Sequence, residues 1–310
     1  MKISLVFSAL AAAVYAKTAL LVPYYISPYT WKADWDALIE TIDKHPALDF
    51  YVIINNSNGP PYNSTYADPG SPTPRNLIDW ADHLGKVNAR KNAKTVGYVY
   101  TGFGKRDVAL VKKGIDDYAK WKTQKNWSGV DQDISIHGIF FDEINTEVAQ
   151  LQRNLDMTRY AKSAFGGKGG PVVLNPGVAV QQGSESLFDV ADSILNLETC
   201  YTKDHDQAFD GTEPRCHLGY TPFTPASLDA LPSNSSRVAK SSVIIHDFYE
   251  TWNPYLPASK STFETDASAI TKKGVHSFYV AQYGYQGNFT MGPASISEVA
   301  RVAASVQGLA

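Results

Sequence analysis

The segment HGIFFDE, residues 137–143, is apolar through its middle and ends in two adjacent acids, Asp142 and Glu143. A short run of this composition is typical of a β-strand that is buried on both faces, as the strands of parallel sheets are. The two negative charges mark the point at which the chain leaves the core. The segment therefore predicts a buried parallel strand with polar groups at its carboxyl end.

Seven other segments repeat this pattern, and each is followed by a turn signal and then by helical periodicity. The eight predicted strands are Thr18–Tyr25, Asp49–Asn56, Thr95–Thr101, His137–Glu143, Pro171–Gly177, Ser193–Thr199, Ser242–Phe248 and Ser277–Tyr283. Eight strand–helix units without a linker predict a single-domain α/β fold, the (β/α)8 TIM barrel, with a sixth helix over residues 224–240. A doubly wound open sheet is the alternative, but the sequence has no Gly-rich phosphate turn after its first strand.

The first 16 residues differ from the rest of the chain. Lys2 precedes an apolar run from Ile3 to Val14, and small residues occupy the positions that a signal peptidase reads. We expect residues 1–16 to be a secretory signal peptide and residues 17–310 to be the barrel; a buried first helix is the alternative. The run is shorter than the roughly 20 residues that cross a bilayer, and we expect no membrane span.

Charge and aromatic content narrow the range of partners. Acidic residues number 31 and basic residues 28, and no basic stripe is present, which argues against a nucleic-acid partner. Aromatic residues make up 12% of the chain, and many lie beside Gly, Pro and Asn in predicted loops. Such loops suit the C–H faces of sugars, although aromatic rings also pack on one another.

Sequons and cysteines fit a secreted glycoprotein, located outside the cell or in the cell wall. Five Asn-x-Ser/Thr sequons begin at Asn55, Asn63, Asn126, Asn234 and Asn288. The only cysteines are Cys200 and Cys216, and in an oxidising compartment we expect them to form one disulfide bond. A zinc site made of both cysteines, His205 and His217 is the alternative, although their spacing lacks the paired register of zinc motifs.

Catalytic groups of a (β/α)8 barrel lie at the carboxyl ends of its strands. Asp142 and Glu198 close the fourth and sixth predicted strands, so they can face each other across one mouth. Residues two apart share a face of a strand, so Glu143 should point away from Asp142 unless the turn swings it inward. Paired carboxylates suit glycoside hydrolysis, in which one donates a proton and the other attacks the anomeric carbon or activates water. Capping of the following helix is the alternative for Asp142 or Glu143.

Further polar and aromatic residues near the strand ends are candidates for substrate binding. Each has a structural alternative: packing for the tyrosines, turn formation for the asparagines, and a satisfied structural role for the histidine. The candidates are Tyr24, Tyr25, Asn55, Tyr100, Asn175, Asn196, His246 and Tyr283.

The strand ends GIFFDE (residues 138–143), ILNLET (residues 194–199) and NNSNGP (residues 55–60) together resemble the spherulin-4 family, which includes glycoside hydrolase family 135. The resemblance covers essentially the whole chain after residue 16. It implies a retaining, endo-acting hydrolase of α-1,4-linked galactosamine-containing polymers such as galactosaminogalactan. The family's acidic triad falls on Asp142, Glu143 and Glu198, and its substrate loop on Asn55.

The resemblance implies Asp142 as nucleophile and Glu198 as acid/base, with the reverse assignment left open. The substrate loop departs from the family pattern of Asn-Pro and Gly-Pro-Gly, because this chain has Asn55-Asn56 and Gly59-Pro60-Pro61. That departure bears on substrate preference more than on the fold.

Three functions remain to be compared. The first is a secreted, monomeric endo-glycosidase that acts on an amino-sugar polysaccharide without a metal or nucleotide cofactor. The second is a non-catalytic wall or matrix protein that binds glycan through its aromatic loops. The third is an esterase or amidase, which is disfavoured because the sequence lacks a Gly-x-Ser-x-Gly elbow. A metal hydrolase is also disfavoured, because the sequence lacks a convincing His cluster.

Overall fold

Eight parallel strands follow one another around a closed barrel in their order along the chain, which confirms the predicted (β/α)8 fold. The computed structural model describes residues 17–28, 31–55, 59–60, 73–166, 170–201, 220–251, 256–281 and 296–309. The barrel strands are β1 (Ala19–Tyr24), β2 (Phe50–Ile54), β3 (Ala93–Tyr100), β4 (Gly138–Asp142), β5 (Val172–Leu174), β6 (Ser193–Cys200), β7 (Ser241–His246) and β8 (Ser277–Val280).

The barrel closes where β1 pairs with β8, in the register Ala19–Ser277 and Leu20–Phe278. Every residue of β1, β5, β7 and β8 is buried, as expected for strands covered on both faces. At the start of β4, a Cβ at Gly138 would lie 1.9 Å from the carbonyl oxygen of Pro171. Only glycine therefore allows β4 and the segment leading into β5 to approach so closely.

The helices surround the barrel and bury one face each. On α1, for example, Trp35, Leu38, Ile39 and Ile42 are buried at the spacing of a single helical stripe. The helices are α1 (Lys32–Lys44), α2 (Thr73–Asn88), α3 (Val108–Ala119), α4 (Val148–Ala164), α5 (Leu187–Val190), α6 (Ser235–Val238), α7 (Lys260–Lys273) and α8 (Ile296–Val306). None of these helices is long and apolar enough to span a membrane.

The sixth helix differs from the prediction of one helix over residues 224–240. A 3₁₀ helix, Pro225–Ala230, is followed by the single turn of α6. Pro232 lies between them, and proline cannot continue a helix because it lacks a backbone N–H. Asn234 then starts α6 afresh, since its Oδ1 accepts hydrogen bonds from the backbone N–H groups of Ser236 (2.9 Å) and Arg237 (3.4 Å).

Two small antiparallel sheets, absent from the sequence-based expectation, accompany the barrel. Thr123–Lys125 pairs with Asp131–Asp133 in the connection from α3 to β4, and Tyr249–Thr251 pairs with Leu256–Pro257 after β7. The first lies at the amino-terminal end of the barrel, because it connects a helix to the next strand. The predicted signal peptide, residues 1–16, lies outside the described residues and stays a prediction.

Candidate active site

One side-chain amide joins the two predicted catalytic acids. Asn175 Nδ2 donates a hydrogen bond to Asp142 Oδ1 (2.7 Å) and another to Glu198 Oε2 (3.1 Å). Asn175 directly follows β5, which lies between the strands that carry the two acids. Its backbone is fixed as well, because its N–H donates to Phe141 O (2.7 Å) and its carbonyl accepts from Ile144 N (2.9 Å). The barrel therefore brings together Asp142, Asn175 and Glu198, all three of them predicted site residues.

The second oxygen of the Asp142 carboxylate accepts a hydrogen bond from the hydroxyl group of Tyr98. Tyr98 is buried on β3 and stacks on Phe140, with ring centroids 6.0 Å apart and planes inclined by 28°. It was not among the predicted site residues. Strand alternation could have indicated it, because Tyr98 lies two residues before Tyr100 and pairs in register with Phe140, which shares a face with Asp142.

The two acids have unequal electrostatic surroundings. Burial raises the pKa of Glu198 to about 7; the charge of Asp142 acts in the same direction, and His246 and the Asn175 hydrogen bond act against it. Burial also raises the pKa of Asp142, but hydrogen bonds from Tyr98, the backbone of Glu143 and Asn175 oppose that rise. More hydrogen-bond donors therefore stabilise the ionised form of Asp142 than that of Glu198, which favours Glu198 as the protonated member of the pair.

Glu143 leaves the strand in a left-handed conformation, with φ of 54°. Its backbone carbonyl accepts hydrogen bonds from Phe103 N and Thr101 Oγ1, each 2.7 Å long. Its half-buried carboxylate accepts a hydrogen bond from the Tyr100 side chain, and burial together with the charge of Asp142 raises its pKa. The strand thus ends at Asp142, and the turn keeps the third acid beside the pair.

Two tyrosines and one histidine lie around the acid pair. The Tyr25 ring packs edge-on against Tyr98, with centroids 5.7 Å apart, and burial and the charges of Asp142 and Glu198 raise its pKa. Burial, the charge of Glu198 and the charge of Asp142 also raise the pKa of Tyr220. The Tyr220 ring packs edge-on against His246, with ring centroids 5.1 Å apart. Tyr220 was not predicted, because it lies in the connection after β6, where no strand pattern indicated it.

His246 ends β7 and is buried at the side of Glu198. Its Nδ1 forms a 2.6 Å hydrogen bond with Oδ2 of the adjacent Asp247, which is also buried and has a left-handed φ of 53°. The structure therefore brings the predicted residues Tyr25, Tyr100 and His246 to the mouth that holds the three acids.

Tyr24 and Asn196 lie elsewhere, which corrects their assignment to substrate binding. The Tyr24 side chain is fully buried between barrel and helices, and its ring packs edge-on against Trp35 at 4.7 Å. Asn196 lies at a β-bulge, where the pairing of β6 with β7 shifts register between Leu195 and Leu197. Its amide donates to Ser241 Oγ (2.8 Å) and accepts from Val180 N (3.3 Å). Both side chains therefore serve the packing of the barrel.

Some predicted residues lie at the limits of the described chain. Asn55 directly follows β2, and its Oδ1 accepts a 3.2 Å hydrogen bond from Gly59 N, which links two residues of the predicted substrate loop. Tyr283, Cys216 and the histidines of the alternative zinc site lie outside the described residues. The disulfide from the buried Cys200 at the end of β6 stays a prediction. Among the residues described, no group of three or more His, Cys, Asp or Glu side chains is arranged to hold a metal ion.

Comparisons with known proteins agree with the family resemblance and the barrel. Spherulin-4 of Physarum polycephalum is 27% identical over 186 residues, 59% of this chain and 47% of that protein, so the match spans about half the length of the relative. The crystal structure of Aspergillus clavatus Sph3 in complex with GalNAc is 23% identical, covers 93% of this chain and 98% of its own, and has a TM-score of 0.61. A chitinase from Chromobacterium violaceum is 12% identical, covers 92% and 98%, and has a TM-score of 0.50.

These two solved structures share the fold of this chain. The family model Spherulin4, spherulation-specific family 4, matches residues 19–303, from the first strand of the barrel into its last helix. The chain therefore belongs to the Spherulin4 family.

Proposed function

We propose that this chain is a secreted glycoside hydrolase that cuts galactosamine-containing polysaccharide, such as galactosaminogalactan, within the polymer and with retention of configuration. The observation that carries the proposal is the shared Asn175 amide, which fixes two carboxyl groups of different strands at one mouth. Glycoside hydrolysis by the common mechanism needs two carboxyl groups on either side of the scissile bond, one protonated and one ionised.

The spacing of the two acids favours retention. Because both oxygens accept from one nitrogen, at 2.7 and 3.1 Å, they can be no more than about 6 Å apart. The two N–H bonds of an amide diverge by about 120°, which gives a separation of about 5 Å when each hydrogen serves one acid. Retaining enzymes hold their carboxyl groups about 5 to 5.5 Å apart, and inverting enzymes about 6.5 to 9.5 Å apart.

The protonation states support one division of roles. Asp142, ionised and held by Tyr98 and Asn175, attacks the anomeric carbon while Glu198 gives its proton to the departing glycosidic oxygen. The bond from the sugar to the leaving group breaks as the bond to Asp142 forms. Glu198, now ionised, then takes a proton from water, and the resulting attack on the anomeric carbon releases the sugar from Asp142. Both carboxyl groups return to their starting states.

Two considerations support an amino-sugar substrate. Sph3, whose barrel this chain resembles, was crystallised with GalNAc. In this chain the rings of Tyr25 and Tyr220 lie beside the acids, where aromatic faces can pack on the C–H faces of a sugar. Secretion rests on the apolar segment of residues 3–14 and on the sequons, and an extracellular polymer is the substrate that such a location provides.

Hydrolysis and simple binding can be separated with matched variants. Purified protein is incubated with partially deacetylated galactosaminogalactan, the released oligosaccharides are measured by mass spectrometry, and the anomeric configuration of the first product by NMR. We expect Asp142→Asn to abolish release and to leave polymer binding intact. Asp131→Asn is the control, because Asp131 is exposed on the small sheet at the opposite end of the barrel. Full activity of Asp142→Asn would overturn the catalytic assignment, and binding without release by the wild type would identify a glycan-binding protein.

A further inference from the structure

Three consecutive residues, which begin two positions after the end of β3, adopt left-handed backbone conformations. Gly102, Phe103 and Gly104 have φ values of 61°, 51° and 82°. Glycine adopts this conformation readily, but a side chain makes it cost roughly 1–2 kcal/mol. Phe103 therefore occupies a position at which the backbone favours glycine.

Core packing of the Phe103 ring does not offset this conformational free energy, because the residue is 51% exposed. Exposed large apolar side chains of the described residues fall into two groups. Phe103 belongs with Val178, in the connection after β5, and Val148, the first residue of α4, because all three follow the carboxyl ends of barrel strands. Trp127 and Val130 lie in the turn that joins the two strands of the small sheet at the opposite end. An exposed aromatic ring in a strained conformation is a feature that folding alone does not require.

The loop that carries Phe103 is tied to the catalytic strand. Phe103 N–H donates to Glu143 O (2.7 Å), and Thr101 Oγ1 donates to the carbonyl groups of Asp142 (2.8 Å) and Glu143 (2.7 Å). Within the loop, Arg106 N–H donates to Thr101 O (3.2 Å). The backbone of Phe103 is thus bonded to the residue next to the proposed nucleophile and held in place before any substrate arrives.

We propose that Phe103 is a sugar-stacking residue, whose ring packs on the C–H face of a sugar unit that flanks the cleaved bond. This inference rests on the proposed function, because it takes the polysaccharide to pass over the acid pair. A fixed aromatic ring binds a sugar face with little further loss of conformational freedom, which is the advantage of ordering the loop in advance. The left-handed conformation then has a purpose, since it holds an apolar ring in solvent at the mouth.

The test compares Phe103→Gly, Phe103→Tyr and Trp127→Ala with the wild type, each in the Asp142→Asn background so that ligand is not consumed. The probes are N-acetylgalactosamine oligosaccharides and chitin oligosaccharides of two to six units, with binding measured by calorimetry. We expect Phe103→Gly to weaken binding of the longer oligosaccharides by about five- to tenfold, the range of one aromatic contact. Phe103→Tyr should bind as the parent does.

Trp127→Ala is the control for loss of an exposed aromatic ring, because Trp127 is 60% exposed in the turn of the small sheet at the opposite end of the barrel. Thermal unfolding separates binding from folding: Phe103→Gly should melt no lower than its parent, since glycine accepts the left-handed conformation freely. Undiminished binding by Phe103→Gly, an equal loss in Trp127→Ala, or no binding of either probe by the parent would overturn the inference. Absence of cleavage by the wild type would instead overturn the hydrolase proposal, and the binding comparison would still decide the role of Phe103.

Discussion

The carboxylates of Asp142 and Glu198 accept hydrogen bonds from the same side-chain amide, that of Asn175. They come from β4 and β6, and the residue between them comes from the end of β5, so three successive strands build one unit. The spacing of the two carboxylates in this unit depends on the side chain of Asn175, which has no titratable group.

Replacement of Asn175 by alanine should therefore impair the proposed reaction through both acids. We expect kcat/KM to fall by about 10²–10³-fold, the usual effect of losing one preorganised donor. Because the Asn175 hydrogen bonds lower the pKa of each acid, both limbs of the pH–rate profile should also move to higher pH. Asn234→Ala, at the start of α6, is the control. An unchanged pH profile in Asn175→Ala would contradict the bridging role.

Tyr98→Phe tests the donor on the other oxygen of Asp142. Loss of the hydroxyl group should raise the pKa of Asp142, so the acidic limb of the profile should move to higher pH and kcat should fall by about 10–100-fold. The ring keeps its stacking on Phe140, so we expect the free energy of unfolding to change by no more than about 1 kcal/mol.

A matched control for this change is Tyr118→Phe, which removes a buried hydroxyl group that donates to Ile54 O (2.9 Å) and bonds the backbone of Tyr98, but does not bond the Asp142 carboxylate. This control should lose stability without moving the pH profile. A common shift of the profile in both variants would show that the effect of Tyr98→Phe is structural.

His246→Gln tests whether His246 lowers the pKa of Glu198, the proposed general acid. The interaction with His246 opposes the rise in the pKa of Glu198, which lies at about 7, so its removal should raise that pKa further. Since the proposed reaction needs protonated Glu198, the basic limb of the pH profile of kcat/KM should move to higher pH. His276→Gln, at the other end of the barrel next to Ser277, should leave the limb in place. Movement of the limb to lower pH in His246→Gln would reverse the assigned role.

Asp266 gives a prediction for stability that is independent of the site. It is buried on α7, and burial raises its pKa to about 6, above the value of the unfolded chain. The folded protein therefore binds this proton more tightly, so the stability that Asp266 contributes is fully present below about pH 4 and is lost as the pH rises through about 6. Asp266→Asn should raise the free energy of unfolding at pH 7 by about 3 kcal/mol and by little at pH 4. Urea unfolding at both pH values measures this, with the exposed Asp229→Asn as control.

The hydrogen bonds of each sequon asparagine predict whether its side chain carries a glycan. Asn126 Nδ2 donates to Asp82 (2.6 Å), and its Oδ1 accepts from Ser128 N and Val130 N, so attachment of a glycan would disrupt this turn. Asn234 is exposed, and its Oδ1 alone caps α6. After secretion from a eukaryotic host, peptide mass spectrometry should find glycan at Asn234 and none at Asn126. Full occupancy at Asn126 would contradict the expectation.

The barrel and its acid pair could be predicted from sequence because both depend on regular features. Apolar runs mark the strands, and alternation together with barrel closure places Asp142 and Glu198 at one mouth. Tyr98 was missed because, in the sequence, it looks like an aromatic residue that packs in the core. Its place beside Asp142 becomes clear only from the register in which β3 pairs with β4. Asn196 was misplaced because a β-bulge shifts the register of β6, and no residue type reports such a bulge.

The electrical neutrality of Asn175 has a consequence for the proposed reaction cycle. A lysine or arginine at that position would also bind both carboxylates, but its charge would lower the pKa of Glu198 and remove the proton that the leaving group needs. An amide donates equally to either acid without adding charge. The spacing of the pair is thus set separately from its ionisation, so a proton can leave and return to Glu198 while the distance to Asp142 stays the same.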